Sequence, residues 1–126
     1  MVDNFSKEKS TASAWFSDLR DKIIQRFEAL ESNHKSDIPA GLFQMKETKR
    51  TASDGSDAGG GLMSVMRGGR VFEKVGINVS TVFGALSKSA QEAMAARKEI
   101  PGILEDPQFW AAGISLVAHM QNPHCP

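Results

Sequence analysis

Three short segments, LMSVMR (62–67), RVFEKV (70–75) and INVSTVF (77–83), follow one another with only glycines between them, and they limit the fold more than any other feature. Val, Ile, Phe and Thr are frequent in them, as they are in strands that pack one face against a core. They predict an antiparallel meander. Gly68-Gly69 predicts a two-residue hairpin turn, because glycine reaches the positive φ angles such turns need. Gly76 predicts a bulge or bend.

The surrounding chain reads as helix and loop. TASAWFSDLRDKIIQRFEALES (11–32) spaces Trp15, Phe16, Leu19, Ile23, Phe27 and Leu30 by threes and fours, with charges on the other side, which predicts an amphipathic helix over about 12–32. Ser10 or Thr11 is placed to cap its start, and Ser32-Asn33 with Pro39 to end it. From Ser36 to Gly61 the chain turns polar and glycine-rich. A short strand is expected at LFQMKE (42–47), then a loop at TASDGSDAGGG (51–61), with residues 1–10 and about 48–60 flexible. SKSAQEAMAARKE (87–99) predicts a short exposed helix ended before Pro101-Gly102, DPQFW (106–110) a brief helical turn, and ISLVAHM (114–120) the last strand. The fold class is α+β.

Composition narrows the chemistry. A chain of 126 residues, 40% hydrophobic, is one ordinary domain. Fifteen Lys and Arg balance fifteen Asp and Glu, so global charge favours neither nucleic acid nor an anionic membrane, and any electrostatic recognition must be local. The one cysteine, Cys125, makes no internal disulfide and fits a reducing, cytoplasmic setting. MVDNFSKEKS has no apolar signal-like core, and no stretch is long and apolar enough for a membrane span.

Alternation along a strand puts Ser115, Val117 and His119 on one face and Ile114, Leu116 and Ala118 on the other. Ser115 and His119 then stand about 13 Å apart at the usual rise per residue, too far for a nucleophilic pair but suited to lining one wide ligand. The ordinary account of His119 is an exposed strand-end histidine. His119, His124 and Cys125 lack the spacing and number of a structural zinc site. GGGLMSVMRGGR has neither G-K-[ST] nor G-x-G-x-x-G, so its glycines read as loop and hairpin, not as a phosphate cradle. Arg67, Arg70 and Lys74 put three cations close together with Glu73 the nearby acid. On a strand, Arg70, Phe72 and Lys74 would share a face, a seat for carboxylates set against the plainer reading of a solvated surface.

GGGLMSVMRGGRVFEKVGINVSTVFG together with PQFWAAGISLVAHMQNPHCP closely resembles the oxygen-dependent coproporphyrinogen III oxidases of haem biosynthesis. Those enzymes carry a glycine-rich run, an arginine and VFEKVGVNVS, then GISLVxHxxNPxxP. The resemblance covers most of residues 12–126 and is weakest near 34–58 and 86–100. It implies oxidative decarboxylation of two propionates of coproporphyrinogen III to vinyl groups, with molecular oxygen as electron acceptor and protoporphyrinogen IX as product. It further implies a cytoplasmic homodimer built on a flat antiparallel sheet flanked by helices, with no organic cofactor and a divalent metal in some members. By position Ser115 matches a substrate-contacting serine and His119 a histidine assigned to a metal. Arg67 and Arg70 suit the four substrate carboxylates on chemical grounds alone.

The same resemblance places the family's proton-donor histidine and an asparagine-x-arginine substrate stretch after NPxxP, past Pro126. The expectation is therefore an N-terminal part of one oxidase domain, with an amphipathic helix and the first four or five strands of a larger sheet. It has no catalytic residue of its own and no turnover alone. A truncated, non-catalytic tetrapyrrole- or metal-binding module is the alternative. Either form is expected to leave an open strand edge and an uncovered apolar face.

Overall fold

A computed structural model describes residues 5–97 and 100–125. The elements run α1 (Ser6–Asn33), β1 (Gln44–Thr51), β2 (Asp57–Arg67), β3 (Phe72–Ala85), α2 (Lys88–Arg97) and β4 (Gln108–Met120). The four strands form one antiparallel sheet in the order β1-β2-β3-β4. This is the expected meander in an α+β arrangement, with several local corrections.

FEKV and INVSTVF are parts of one strand, not two, while Arg70 and Val71 precede it. Gly76 pairs in unbroken register with Val65 on one side and Val117 on the other, so it is neither bulge nor bend. The irregularity between β3 and β4 falls at Phe72/Lys74 instead. The β2–β3 connection runs over residues 68–71, where Gly68 has φ +62° and the Gly69 N–H donates to the Phe72 carbonyl at 2.9 Å. Arg70 consequently lies in this turn and shares no strand face with Lys74.

The segment expected to be a flexible loop is a second hairpin. β1 reaches Thr51, β2 begins at Asp57, and the turn closes with Gly55 at φ +87°. The run Gly59-Gly60-Gly61 sits inside β2, where a Cβ on Gly59 or Gly61 would land on the Thr81 or Val79 carbonyl. Glycine is needed there for close backbone approach. The QFW of DPQFW is likewise strand where a brief helical turn was expected: β4 starts at Gln108, and Trp110 pairs with Phe83.

Helix α1 begins at Ser6, ahead of the expected start, with Phe5 at the N-cap and no side-chain cap bond. Residues 6–10 are therefore helical, and residues 1–4 lie outside the described residues. The sheet-facing stripe also differs from the expected one. Ile24 and Glu31, two turns apart, are its buried members, while Trp15 and Leu30 are 51% and 54% exposed. α2 covers Lys88–Arg97, and the rest of its expected span, 98–99, lies outside the described residues.

The core sits where the second half of α1 crosses the β2–β3 hairpin. Ile24, Met66, Phe72, Val75 and Ile77 are buried together, with Ile23, Phe27, Phe43, Ile114 and Met120 packed around them. Phe27 and Phe72 approach at 4.8 Å between ring centres. The two sheet edges are unlike. β1 carries Lys46, Glu47, Lys49 and Arg50 and is exposed throughout, whereas β4 contains no Asp, Glu, Lys or Arg. Charge on an edge strand discourages further pairing, so β4 is the less protected of the two edges. No helix among the described residues is long and apolar enough to cross a membrane.

Candidate functional site

The site is built by alternation within strands and register between them. Val75 and Ile77 are fully buried on the α1 side, so their neighbours Lys74, Gly76 and Asn78 face the other way. Register then fixes which residues join them. His119 pairs with Lys74 and Lys74 with Arg67. Val117, Gly76, Val65 and Gln44 form the next row, followed by Ser115, Asn78, Met63 and Lys46. Arg67, Ser115 and His119, three of the expected site residues, thus share one sheet face.

That face is open. α1 packs against β3 and β4 from the opposite side, and Lys46, Arg67, Lys74, Ser115 and His119 are all exposed. Its floor is low, because Gly76 and Gly113 carry no side chain and a Cβ at either would meet nothing within 4 Å. Asn78 lies in the floor beside Ser115, and its Oδ1 is shielded without a hydrogen-bond partner.

The electrostatics of the face are one-sided. Lys46, Arg67 and Lys74 project from it, none of its paired positions on β2, β3 or β4 is Asp or Glu, and the acid nearest them is the exposed Glu73 at the irregularity beside Lys74. The ion pairs among the described residues, Arg20–Asp21 and Lys22–Asp18, lie on α1. A chain of zero net charge therefore presents a local cationic surface. With two strand spacings of about 4.8 Å, the row Arg67–Lys74–His119 spans about 10 Å.

Arg70 is elsewhere, with a different task. Its Nη1 donates to the carbonyls of Glu31 at 3.3 Å and His34 at 3.1 Å, and its Nε donates to the Ile38 carbonyl. It caps the C-terminal end of α1, where carbonyls lack helical partners and a cation is favourable. The expected substrate role for Arg70 finds no support in this position, since the guanidinium is turned onto backbone oxygens.

Glu31 completes the same joint. Its carboxylate, fully buried, accepts N–H bonds from Gly41 (3.1 Å), Arg70 (2.5 Å), Val71 (2.9 Å) and Phe72 (2.9 Å). Burial pushes the carboxyl group up, but the bonds from Phe72, Gly41, Arg70 and Val71 outweigh it and hold the group below the ordinary glutamate range. Gly69 permits the approach, since a Cβ there would sit 2.6 Å from the Glu31 Cδ. One carboxylate thereby fixes the hairpin that carries Arg67 and Lys74.

The described residues contain no group of three or more His, Cys, Asp or Glu able to hold a metal ion. His119 pairs with a lysine, and a dication beside Lys74 and Arg67 without a carboxylate is electrostatically unfavourable. The described residues by themselves do not gather a metal centre around His119. Cys125, also a potential ligand, is exposed and free.

The family model described as coproporphyrinogen III oxidase matches residues 11–126. This chain belongs to the coproporphyrinogen III oxidase family. It is 45% identical over 122 residues to an oxygen-dependent coproporphyrinogen-III oxidase of Rickettsia bellii (strain RML369-C), a match covering 95% of this chain and 39% of that protein. The similarly named proteins of Rickettsia felis and Rickettsia rickettsii (strain Sheila Smith) are 45% and 42% identical over 120 residues, with the same coverage. The chain thus spans about two fifths of the length of the curated relatives it matches.

Within the oxidase family portion present here, sequence reasoning missed two residues of consequence. Glu31 was signalled by periodicity, since it continues the Ile24 line two turns on, but an acid there reads as solvated until its four amide partners are known. Asn78 was signalled by its alternation with Val75 and Ile77.

Proposed function

We propose that this chain supplies the substrate-binding sheet of an oxygen-dependent coproporphyrinogen III oxidase. The supporting observation is the open face that joins Ser115 and His119 to Arg67 and Lys74 over a low glycine floor, without a carboxylate among its paired positions on β2–β4. A flat tetrapyrrole bearing four propionates matches such a surface in shape and charge.

The overall chemistry removes two of the four carboxylates. Each propionate, with one O2 and one proton, gives a vinyl group, CO2 and H2O2; a carbon–carbon bond breaks, and oxygen takes two electrons. Arg67 binds a carboxylate by charge-assisted hydrogen bonds, and Ser115 gives a hydroxyl to the other end of the macrocycle. His119 borders the carboxylate end. Arg70 acts only by holding the hairpin. A metal on His119 would need further ligands that the described residues do not supply. A cytoplasmic homodimer belongs to the same reading, with the free edge of β4 taking further strands of the domain.

The test is titration of the 126-residue chain with coproporphyrin III, the stable oxidised form of the substrate, followed by fluorescence quenching. Saturable binding is expected, together with no CO2 release from coproporphyrinogen III under oxygen. Absence of binding overturns the reading, and measurable CO2 release overturns its claim that proton donation is not supplied by these residues.

A further inference from the structure

Lys74 and Arg67 stand directly opposite each other on β3 and β2, an arrangement of like charges that destabilises a sheet unless something neutralises it. Neither pairs with a carboxylate among the described residues. The nearest acid in sequence, Glu73, is exposed at the irregularity at Phe72/Lys74 and forms an ion pair with neither. Both side chains are exposed, so water carries their charge and an anionic ligand can reach them.

We propose that Lys74 and Arg67 together form the seat for one of the two propionates that the reaction leaves intact, so that Lys74 is a specificity-determining residue. This rests on the substrate reading above. The choice among the four propionates follows from charge. A reacting carboxylate loses its charge as it departs as CO2, so two cations gripping it would stabilise the ground state more than the transition state and slow the step. A retained carboxylate keeps its charge throughout, and gripping it costs no rate. The seat therefore anchors a retained propionate and leaves the reacting groups to the rest of the face.

The experiment compares the 126-residue chain with its Lys74→Gln, Lys74→Arg and Lys49→Gln variants, titrated with coproporphyrin III and with protoporphyrin IX, which has only the two retained propionates. Lys49 lies on β1, on the opposite face by alternation. Lys74→Gln is expected to weaken both ligands by the same factor, about tenfold, as loss of one charge-assisted bond implies. Lys74→Arg should restore most of the affinity, and Lys49→Gln should leave it unchanged. Far-UV circular dichroism checks that each variant keeps its sheet.

Equal binding by wild type and Lys74→Gln removes the seat while leaving the substrate reading standing. Weakening of coproporphyrin III alone assigns the seat to a reacting propionate and overturns the proposal. An equal loss in Lys49→Gln reduces the effect to net charge and overturns it too. No binding by the wild-type chain removes the substrate reading, and the seat with it.

Discussion

The two faces of this sheet are made by the same four strands and obey opposite rules. On the α1 side Met66, Val75 and Ile77 are fully buried, and a buried acid, Glu31, has every carboxylate oxygen engaged. On the open side, cations stand opposite cations and a carboxamide oxygen lacks a partner. Burial without partners is costly, and on the covered face the Ser64 hydroxyl, fully buried beside Ile77, is the side-chain group left without one. Water tolerates the unresolved charges of the open face, which leaves it ready for a ligand. Stability and recognition are thereby assigned to alternate residues of each strand.

The sharpest way to break this division is Glu31→Ala. Four backbone N–H groups lose their acceptor at once, and each buried orphan costs about 1–3 kcal/mol. The expected loss is at least about 3 kcal/mol, read as a fall in the urea midpoint. An unchanged midpoint would show that the joint between α1 and the hairpin is held by other means.

Ile77→Ala tests the same face through packing alone. Removing a fully buried Ile costs about 2–5 kcal/mol, the lower end applying if the small core collapses around the gap. The adjacent substitution Asn78→Ala, on the open face, should be neutral or stabilising, because it deletes an unpaired acceptor. Comparable losses at 77 and 78 would erase the distinction between the faces.

Acid should act through the covered face as well. Glu31 is held below the ordinary glutamate range, so its contribution is complete above that range. It is lost as pH falls through the range into the depressed folded value. Urea midpoints measured from pH 7 downward should drop in wild type, and the drop should be shallower in Glu31→Gln. Parallel curves would locate the acid sensitivity elsewhere.

The smallest effect has the opposite sign. Lys74→Gln relieves a like-charge pair and should raise stability by a few tenths of a kcal/mol, up to about 1, while weakening porphyrin binding. A variant that folds better and binds worse separates the faces most cleanly. The gain should shrink in 0.5 M salt, roughly where screening shortens below the spacing of the pair.

Much of this organisation was legible in the sequence. The meander, both helices and the shared face of Ser115 and His119 depend on local periodicity, which a strand or helix cannot escape. The exceptions follow from contacts beyond the local window. Gly59–Gly61 reads as loop, yet it pairs with both β1 and β3, at a closeness to neighbouring carbonyls that only glycine permits. Arg70 reads as a strand residue, yet it turns onto the end of a helix 36 to 39 positions earlier.

By itself, then, the sequence determined that Ser115 and His119 look the same way, that β2 and β3 form a hairpin, and that the chain carries the motifs of its family. Only the tertiary structure decided who stands beside them. Register is a non-local quantity. It brought Lys74 and Arg67 to His119, gathered cations on one face of a neutral chain, and withdrew Arg70 into the joint that Glu31 holds closed.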